Sequence, residues 1–281
     1  MRAPDCLKSS ASTIIASLPR GEQMSNSEQQ WALVTGASAG IGESFTRLLA
    51  SKGFNIVLVA RDAIRLKERA DTLHASYGVD CVVLTADLST AAGSLLVEDF
   101  ISSHSIEVLI NNAGFGINKA FTRSHLDSEQ QLLDVLVRTP MRLMHVILPQ
   151  MRERNSGVII NVSSIASFIT GGTYSAAKSY LTVLSESLHT ELASTNIHVS
   201  ALCPGFTRTE FHERGRMRMD KLPNFMWLNA DKLVVVSWNS ALKGSAISVP
   251  GWQYKSLAFL TRYSPRPLVR RLGMNVRMRQ R

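Results

Sequence analysis

Short apolar runs alternate with amphipathic stretches from Trp31 to about residue 250. The apolar runs predict buried strands over residues 32–34, 54–60, 81–86, 106–110, 158–162, 197–202 and 245–249. The stretches between them predict helices after Gly42 and over residues 62–77, 89–103, 126–154, 173–194 and 229–242. Residues 206–228 show neither pattern, and we expect irregular structure there.

Near-continuous apolar strands that alternate with helices are typical of a parallel sheet covered on both faces. The sequence therefore predicts the α/β class, with a single doubly wound parallel sheet of about seven strands. We expect this domain to span residues 29–251, without an internal boundary. Residues 1–28 are rich in serine and glutamine, and we expect a disordered extension there, with Met24 as an alternative start.

The net charge of +9 is concentrated near the end of the chain. Residues 252–281 contain eight basic residues and no acidic one, which predicts a basic, partly amphipathic tail. Aromatic and aliphatic residues precede its arginines, in an arrangement that could lie in a membrane interface: Trp252, Tyr254, Leu257, Phe259 and Leu260. The alternatives are that the tail binds an acidic substrate or nucleic acid, or that it is only solvated.

Composition excludes some classes of protein. No apolar run approaches the roughly 18 residues that a membrane span requires. The three cysteines form no spaced set, which favours a reducing cytoplasm. The histidines are scattered without metal-ligand spacing, and we expect no catalytic metal.

Three glycines follow the first predicted strand. Gly36, Gly40 and Gly42 separate this strand from an amphipathic stretch, in the order strand, tight turn, helix. Glycine lets the backbone approach a pyrophosphate closely, and the N–H groups at the start of a helix bind the anion. The pattern predicts a dinucleotide-binding turn. A strand-to-helix turn without a ligand is the alternative.

A tyrosine and a lysine lie one turn apart in the helix predicted over residues 173–194. Tyr174 and Lys178 stand at positions i and i+4, on one face of that helix. Because an adjacent cation favours the phenolate, we expect Lys178 to lower the pKa of Tyr174 from its usual value of about 10. Tyr174 would then serve as a proton donor or acceptor near neutral pH.

Together these features resemble the short-chain dehydrogenase/reductase family. Over about residues 30–250, the motifs occur in family order as Thr35-Gly36-x3-Gly40-Ile41-Gly42, Asp87, Asn111-Asn112-Ala113-Gly114, Tyr174-x3-Lys178 and Pro204-Gly205. The resemblance implies a Rossmann-type domain that transfers hydride between a nicotinamide cofactor and a carbonyl or alcohol. It implies three catalytic residues, Ser164, Tyr174 and Lys178. The cofactor-binding residues it implies are Gly36, Ser38, Gly40, Ile41, Gly42, Asp87, Leu88, Asn112, Ala113, Gly114, Tyr174, Lys178, Pro204, Gly205, Thr207 and Thr209.

The resemblance also implies a role for each group. Tyr174 would protonate the substrate oxygen during reduction, a serine would hydrogen-bond that oxygen, and Lys178 would hold the nicotinamide ribose. Asp87 and Leu88 would flank the adenine. Either Thr207 or Thr209 would reach the carboxamide.

Two departures from the family pattern concern the catalytic residues. The loop before Tyr174 is short, so Ser164 is the expected serine and Ser163 the alternative. Leu136 stands where the family has an asparagine in the long helix. Pro140 has no N–H, so the Leu136 carbonyl loses its i+4 partner. Our hypothesis is that the resulting kink keeps a water-linked relay from this carbonyl to Lys178.

The end of the second strand indicates the choice of cofactor. NAD-binding proteins place an acidic residue there, whereas this chain has Ala60 followed by Arg61. An arginine can pair with a 2′-phosphate, so we predict that Arg61 binds NADP(H) and that reduction is the physiological direction. An arginine that only faces solvent is the alternative.

By the same resemblance, the loop after Gly205 covers the substrate. It combines apolar residues with cations: Phe206, Phe211, Met217, Met219, Phe225, Met226 and Trp227, with Arg208, Arg214, Arg216, Arg218 and Lys221. We expect an NADP(H)-dependent oxidoreductase that interconverts a ketone and a secondary alcohol and reduces an apolar, lipid or 3-oxoacyl-like carbonyl. The alternatives are a non-catalytic NADP-binding regulator and a membrane-recruited interaction protein.

The expected partners follow from the same features. The family resemblance implies a homodimer or homotetramer, and we expect no nucleic acid. We predict a cytoplasmic protein whose tail contacts an anionic membrane peripherally.

Overall fold

The computed structural model describes residues 30–211 and 223–271. The extension predicted over residues 1–28 lies outside this part of the chain. Residues 212–222, in the middle of the loop after Gly205, and residues 272–281 also lie outside it. The first of these ranges contains several of the methionines and arginines of the loop.

Parallel strands form one sheet at the centre of the fold. The strands are β1 (Trp31–Thr35), β2 (Asn55–Ala60), β3 (Cys81–Thr85), β4 (Ile106–Asn111), β5 (Gly157–Val162), β6 (Ile197–Leu202) and β7 (Ile247–Ser248). The sheet has seven strands in the order β3-β2-β1-β4-β5-β6-β7. The strand order reverses between β1 and β4, which is where open α/β sheets bind their ligands. The predicted doubly wound parallel sheet is confirmed.

Helices cover both faces of the sheet. They are α1 (Gly40–Ala50), α2 (Ala63–Tyr77), α3 (Ala91–Ser103), α4 (Leu126–Leu133), α5 (Thr139–Arg154), α6 (Thr173–Glu191), α7 (Ala230–Leu242) and α8 (Trp252–Tyr263). Phe45 of α1 and Leu66 of α2 belong to the core on one face. Ile147 of α5 and Leu181 of α6 belong to the core on the other. The inner strands β1, β2, β4, β5 and β6 are therefore buried from both sides, which explains their continuous apolar sequence.

The parallel register brings the carboxyl ends of the strands to one edge. Thr35 pairs with Val59, and Val162 pairs with Leu202. Asn111 of β4 pairs with Asn161 of β5. The loops that follow β1, β2, β4, β5 and β6 therefore meet at this edge, and they carry the residues predicted for the site.

The long helix predicted over residues 126–154 is interrupted near Pro140. Between α4 and α5, Asp134–Arg138 forms a π-helical turn, in which the N–H of Thr139 donates to the carbonyl of Asp134. Pro140 is the second residue of α5 and has no N–H, so the ordinary i+4 bond to Leu136 cannot form. A wider turn is a physical response to that missing donor.

The segment predicted as a tail includes a helix that packs on the domain. In α8, Tyr254 is 1% exposed, and Val269 in the following helical residues 266–271 is equally buried. Tyr254 therefore does not lie in an exposed interfacial face, contrary to the sequence-based expectation. Within the described ranges, no helix is both long and apolar enough to cross a bilayer.

Candidate active site

The turn between β1 and α1 is shaped by its glycines. Gly36 and Gly40 have φ angles of +67° and +60°, in the left-handed region that other residues rarely adopt. A Cβ at Gly42 would lie 2.2 Å from the carbonyl oxygen of Gly36. A Cβ at Gly36 would lie 2.7 Å from Nδ2 of Asn112. Only glycine fits these positions without displacement of the turn.

The start of α1 faces this turn. Ala39, the N-cap residue of α1, has no side-chain acceptor that could cap the helix, so the N–H groups of its first turn are available to an anion. Ser38 is buried and Ile41 is half-buried beside them. The side chain of Thr209 lies against Gly40, where an added Cβ would be 3.0 Å away. An uncapped helix start beside a glycine cradle fits the pyrophosphate of a dinucleotide.

A hydrogen-bond network joins the end of β1 to the end of β4. The Thr35 hydroxyl donates to the carbonyl of Ile110 and accepts from the N–H groups of Asn112 and Ala113, at 3.3, 2.9 and 3.0 Å. The Asn112 side-chain amide donates to the carbonyls of Thr35 and Gly36, at 2.9 and 3.2 Å. Asn112 therefore shapes the glycine turn through its side chain.

Arg61 and Asp87 follow β2 and β3 on one side of the turn. The Arg61 side chain is exposed and makes no ion pair or hydrogen bond with the described part of the chain. Burial raises the pKa of Asp87, but hydrogen bonds from Ser89 and the charge of Arg61 bring it below its usual value. The N–H and hydroxyl of Ser89 donate to the Asp87 carboxylate at 3.0 and 2.8 Å. This carboxylate is therefore held by Ser89, and Arg61 stays available to an anion.

Leu88 and the two candidate threonines lie in different surroundings. The Leu88 side chain is 5% exposed and packs in the core, so only its main chain is available to an adenine. Thr207 is buried, and its hydroxyl donates to the Gly205 carbonyl at 3.0 Å. Thr209 borders Gly40. Of the two threonines, Thr209 is therefore the one beside the glycine turn.

Ser163 and Ser164 follow β5 and point in different directions. The Ser163 hydroxyl is buried, where it donates to the Lys178 carbonyl at 2.9 Å and hydrogen-bonds Thr182 at 2.7 Å. Ser164 instead lies beside the phenol of Tyr174, and its hydroxyl accepts from the N–H of Ala166 at 3.1 Å. Of the two serines left open by the sequence, only Ser164 lies beside the tyrosine.

Tyr174 and Lys178 lie one turn apart in α6, with the Lys178 Nζ 5.8 Å from the centre of the tyrosine ring. Burial raises the pKa of Tyr174 to about 12, although the hydrogen bond with Ser164 lowers it in part. Burial lowers the pKa of Lys178 to about 8, and its Nζ donates to the Val162 carbonyl at 2.6 Å. The expected lowering of the tyrosine pKa is therefore wrong, because burial of the phenol raises its pKa by more than Ser164 lowers it.

Leu136 lies next to the lysine. A Cβ at Gly114 would be 2.8 Å from Cδ2 of Leu136 and 3.9 Å from the Nζ of Lys178. The Leu136 side chain, which projects from the π-helical turn, and the Lys178 ammonium group therefore both border Gly114. The relay through the Leu136 carbonyl stays a prediction.

Tyr254 is a residue near the site whose position the sequence did not predict. A Cβ at Gly205 would lie 2.1 Å from its ring. Its hydroxyl accepts from the N–H of Phe206 at 3.1 Å and donates to the carbonyl of Met226 at 2.6 Å. Tyr254 therefore joins the two ends of the loop after Gly205. The helical spacing of Tyr254 and Thr261 was the available signal for a buried face of α8.

Comparison with known proteins agrees with this geometry. Residues 30–219 match the family described as short chain dehydrogenase. A very-long-chain 3-oxoacyl-CoA reductase of Danio rerio is 26% identical over 271 residues, which cover 94% of this chain and 83% of the fish protein. The human inactive hydroxysteroid dehydrogenase-like protein 1 is 31% identical over 186 residues, which cover 64% of this chain and only 56% of the human protein.

A solved structure shares the fold as well as the sequence pattern. The short-chain dehydrogenase from Sphingobium yanoikuyae in complex with NADPH is 29% identical, with a TM-score of 0.77. The superposition covers 83% of this chain and 93% of the bacterial one. The family match extends over more than half of the chain, and the sheet order and glycine turn are those of a Rossmann-type oxidoreductase. The chain therefore belongs to the short-chain dehydrogenase/reductase family.

Proposed function

We propose that this protein is an NADP(H)-dependent reductase of an apolar ketone. The observation that carries the proposal is that Ser164, Tyr174 and Lys178 meet at the edge of the sheet that also carries the glycine turn. Membership of the family supports an oxidoreductase that acts on an alcohol or carbonyl. The NADPH complex of the Sphingobium protein and the name of the fish relative support the cofactor and the substrate class.

Each of the three residues has a role in ketone reduction. The hydroxyls of Ser164 and Tyr174 lie beside one another, so both can contact a single carbonyl oxygen. NADPH, when bound at the glycine turn, supplies the hydride. Tyr174 donates its proton to the substrate oxygen, and the charge of Lys178 stabilises the phenolate that remains.

The raised pKa of Tyr174 favours reduction over oxidation. A phenol with a pKa of about 12 keeps its proton at neutral pH. Reduction begins with the protonated phenol, whereas oxidation of an alcohol begins with the phenolate. The half-buried tyrosine is therefore suited to act as a general acid.

The pH dependence of reduction should report the ionisation of Lys178. Its pKa of about 8 means that the ammonium is present below this pH and is lost as the pH rises through it. We expect kcat/KM for ketone reduction to fall with an apparent pKa near 8, while Tyr174 remains protonated. Steady-state rates across this range measure it. The arginine of the Lys178→Arg variant stays charged over this pH range. Any residual activity of that variant should therefore not fall near pH 8. A flat profile in the parent enzyme would contradict the assignment.

The position of Arg61 supports NADP(H) as the cofactor. It directly follows β2, and Gly36 of the cofactor turn donates to the Val59 carbonyl of the same strand at 2.8 Å. The adjacent Asp62 caps α2 by accepting from the N–H of Arg65 at 3.1 Å. With Asp62 and Asp87 each bound to nearby donors, the Arg61 guanidinium can pair with a 2′-phosphate.

Removal of the guanidinium should therefore affect one cofactor more than the other. We expect Arg61→Ala to raise KM for NADPH by about 10- to 100-fold, because a charge-assisted pair is lost. KM for NADH should change less than about threefold, since NADH has no 2′-phosphate to lose the pair. Initial rates with both cofactors measure the effect. Arg123→Ala, which alters an exposed arginine away from the turn, is the control. Equal effects on the two cofactors would refute this role of Arg61.

Aromatic side chains beside Tyr174 support an apolar substrate. The ring centres of Phe211 and Tyr174 lie 6.1 Å apart, and those of Phe206 and Trp227 lie 6.3 Å apart. Phe225 is 66% exposed at the same loop. Such a surface favours an aliphatic chain over a small polar ketone.

NADPH consumption with a series of ketones tests the proposed function. We expect kcat/KM to rise about three- to fourfold for each added methylene, since a buried CH₂ contributes about 0.8 kcal/mol, until the apolar surface is filled. Long 3-oxoacyl esters should therefore be better substrates than small polar ketones. A preference for the small ketones would refute the lipid substrate, and no consumption with any carbonyl would refute the reductase.

The same proposal includes a homodimer or homotetramer in the cytoplasm. Adjacent helices expose apolar side chains, among them Leu126 of α4 and Val183 of α6, with exposed fractions of 70% and 60%. A second copy could cover them. Cys81 and Cys203 are free, which suits a reducing compartment.

A non-catalytic NADP-binding regulator is the second candidate function. Leu136 beside Lys178 and the name of the human relative favour it. Intact Ser164 and Tyr174 favour turnover. A protein that binds NADPH but consumes none with the ketone series would be this regulator.

A further inference from the structure

The outward side of α8 carries large apolar side chains. Trp252, Phe259, Leu260 and Tyr263 have exposed fractions of 76%, 64%, 60% and 71%. They follow one another at intervals of seven, one and three residues, which places them along one side of the helix. The opposite side is buried through Tyr254 and Thr261. We refer to the four exposed residues as the α8 outer face.

Cations surround this apolar stripe. The exposed basic residues of α8 and of the helical residues after it are Lys255, Arg262, Arg266, Arg270 and Arg271. Residues 252–271 contain no aspartate or glutamate. None of these five cations has an ion-pair partner within residues 30–211 and 223–271. Their charge is therefore uncompensated by the described part of the protein.

We propose that the α8 outer face binds the surface of an anionic membrane. Tryptophan and tyrosine partition into the headgroup region of a bilayer, where the ring is buried and its polar edge stays wet. Phenylalanine and leucine add apolar area, and nearby cations bind anionic headgroups. The inference extends the proposed function by naming a partner of the enzyme, and binding can be measured without cofactor or substrate.

Two other occupants of this face are less compatible with its chemistry. A second copy that met it face to face would bring five cations against five more, which is repulsive. Nucleic acid would satisfy the cations but would leave Leu260 and Phe259 without an apolar partner, because its outer surface is a phosphate backbone. Of these three occupants, only an anionic bilayer offers both negative charge and an apolar interior.

The inner side of α8 connects this surface to the candidate site. Tyr254 contacts Gly205, and its hydroxyl forms hydrogen bonds with the main chain of Phe206 and Met226. The helix also packs against Ile165–Phe168, the turn that directly follows Ser164. A bilayer on the outer face would therefore lie about one helix diameter, ~10 Å, from the loops that border the substrate. An apolar ketone could then pass between the membrane and the site.

Co-sedimentation of the full chain with vesicles tests the proposal. We expect binding to vesicles of phosphatidylcholine mixed with phosphatidylglycerol, weaker binding at high salt, and little binding to phosphatidylcholine alone. The emission of Trp252 should shift to the blue on binding, and Trp252→Phe should abolish this shift. Equal binding to the two kinds of vesicle, or no binding to either, would overturn the proposal.

Variants of exposed residues distinguish the two contributions. Phe259→Ser combined with Tyr263→Ser should weaken vesicle binding by at least about tenfold, because two apolar anchors are removed. Arg262→Gln combined with Arg266→Gln should weaken it by about fivefold per cation. Leu95→Ser is the matched control, since Leu95 is 46% exposed on α3 and should leave binding unchanged.

Further outcomes assign the face to another occupant. If the Phe259/Tyr263 variant binds vesicles like the parent but loses its oligomeric state in light scattering, the face is a contact between copies. If duplex DNA binds and vesicles do not, the cations serve nucleic acid. Either result overturns the proposal. Reduction of a soluble ketone is measured separately, so failure of docking and failure of the reductase remain distinguishable.

Discussion

Replacement of Tyr174 by phenylalanine should lower kcat for ketone reduction by about 10²- to 10⁴-fold, the usual contribution of a general acid. The change removes only the hydroxyl, and the ring keeps its contact with Phe211 at 6.1 Å. The dissociation constant for NADPH should therefore change less than about tenfold, because one hydrogen bond contributes modestly to binding. Stopped-flow measurement of NADPH oxidation and fluorescence titration give the two quantities.

Tyr180→Phe is the matched control for this substitution. Tyr180 lies on the same helix but is 38% exposed, and its variant should reduce ketones at the parent rate. If Tyr174→Phe also retained the parent rate, the proton would come from another group and the proposed mechanism would fail. If both variants lost activity, a general effect on α6 would be indicated instead, and unfolding temperatures would reveal it.

Gly42→Ala should abolish tight NADPH binding. The added methyl would lie 2.2 Å from the Gly36 carbonyl oxygen and 2.4 Å from Nδ2 of Asn112, so the turn must move. Overpacking of this kind costs about 1–3 kcal/mol of stability. A displacement of about 1 Å in the groups that hold a ligand can lower activity by ~100-fold, and we expect an effect of this size on kcat/KM for NADPH. Isothermal titration and denaturant unfolding measure the two effects.

Gly53→Ala separates the loss of space from a general cost of replacing glycine. Gly53 follows the far end of α1, and a Cβ there would meet nothing within 4 Å. Its φ of +86° means that alanine is strained, so stability should fall while NADPH binding persists. If Gly42→Ala bound NADPH as the parent does, the glycine turn would not be the cofactor cradle.

The sequence predicted the sheet and the glycine turn because both depend on local pattern. Strands buried on both faces need continuous apolar runs, and the connecting helices need apolar residues at a period of 3.6. A turn in which a Cβ meets backbone needs glycine at Gly36 and Gly42. The i and i+4 spacing likewise places Tyr174 and Lys178 on one side of α6. Each of these signals lies within a few residues of chain.

Side-chain direction and burial depended on contacts that are distant in the sequence. Ser163 and Ser164 are neighbours of the same type, and only the position of Thr182 and the rest of α6 sends Ser163 into the core. Spacing showed that Tyr174 and Lys178 are close, but not that their surroundings are dry. The pKa of Tyr174 therefore rises to about 12 instead of falling.

In the C-terminal segment, too, some properties followed from the sequence and others only from the tertiary structure. Composition by itself determined that residues 252–281 are basic and contain aromatic residues. Only the tertiary structure decided which aromatic side chains face outward. The Tyr254 hydroxyl accepts a hydrogen bond from the N–H of Phe206, which lies 48 positions earlier in the chain. That contact turns Tyr254 towards the domain and leaves Trp252 and Phe259 on the opposite side of α8. A helical period defines two faces, and the identity of the buried one depends on the surface against which the helix packs.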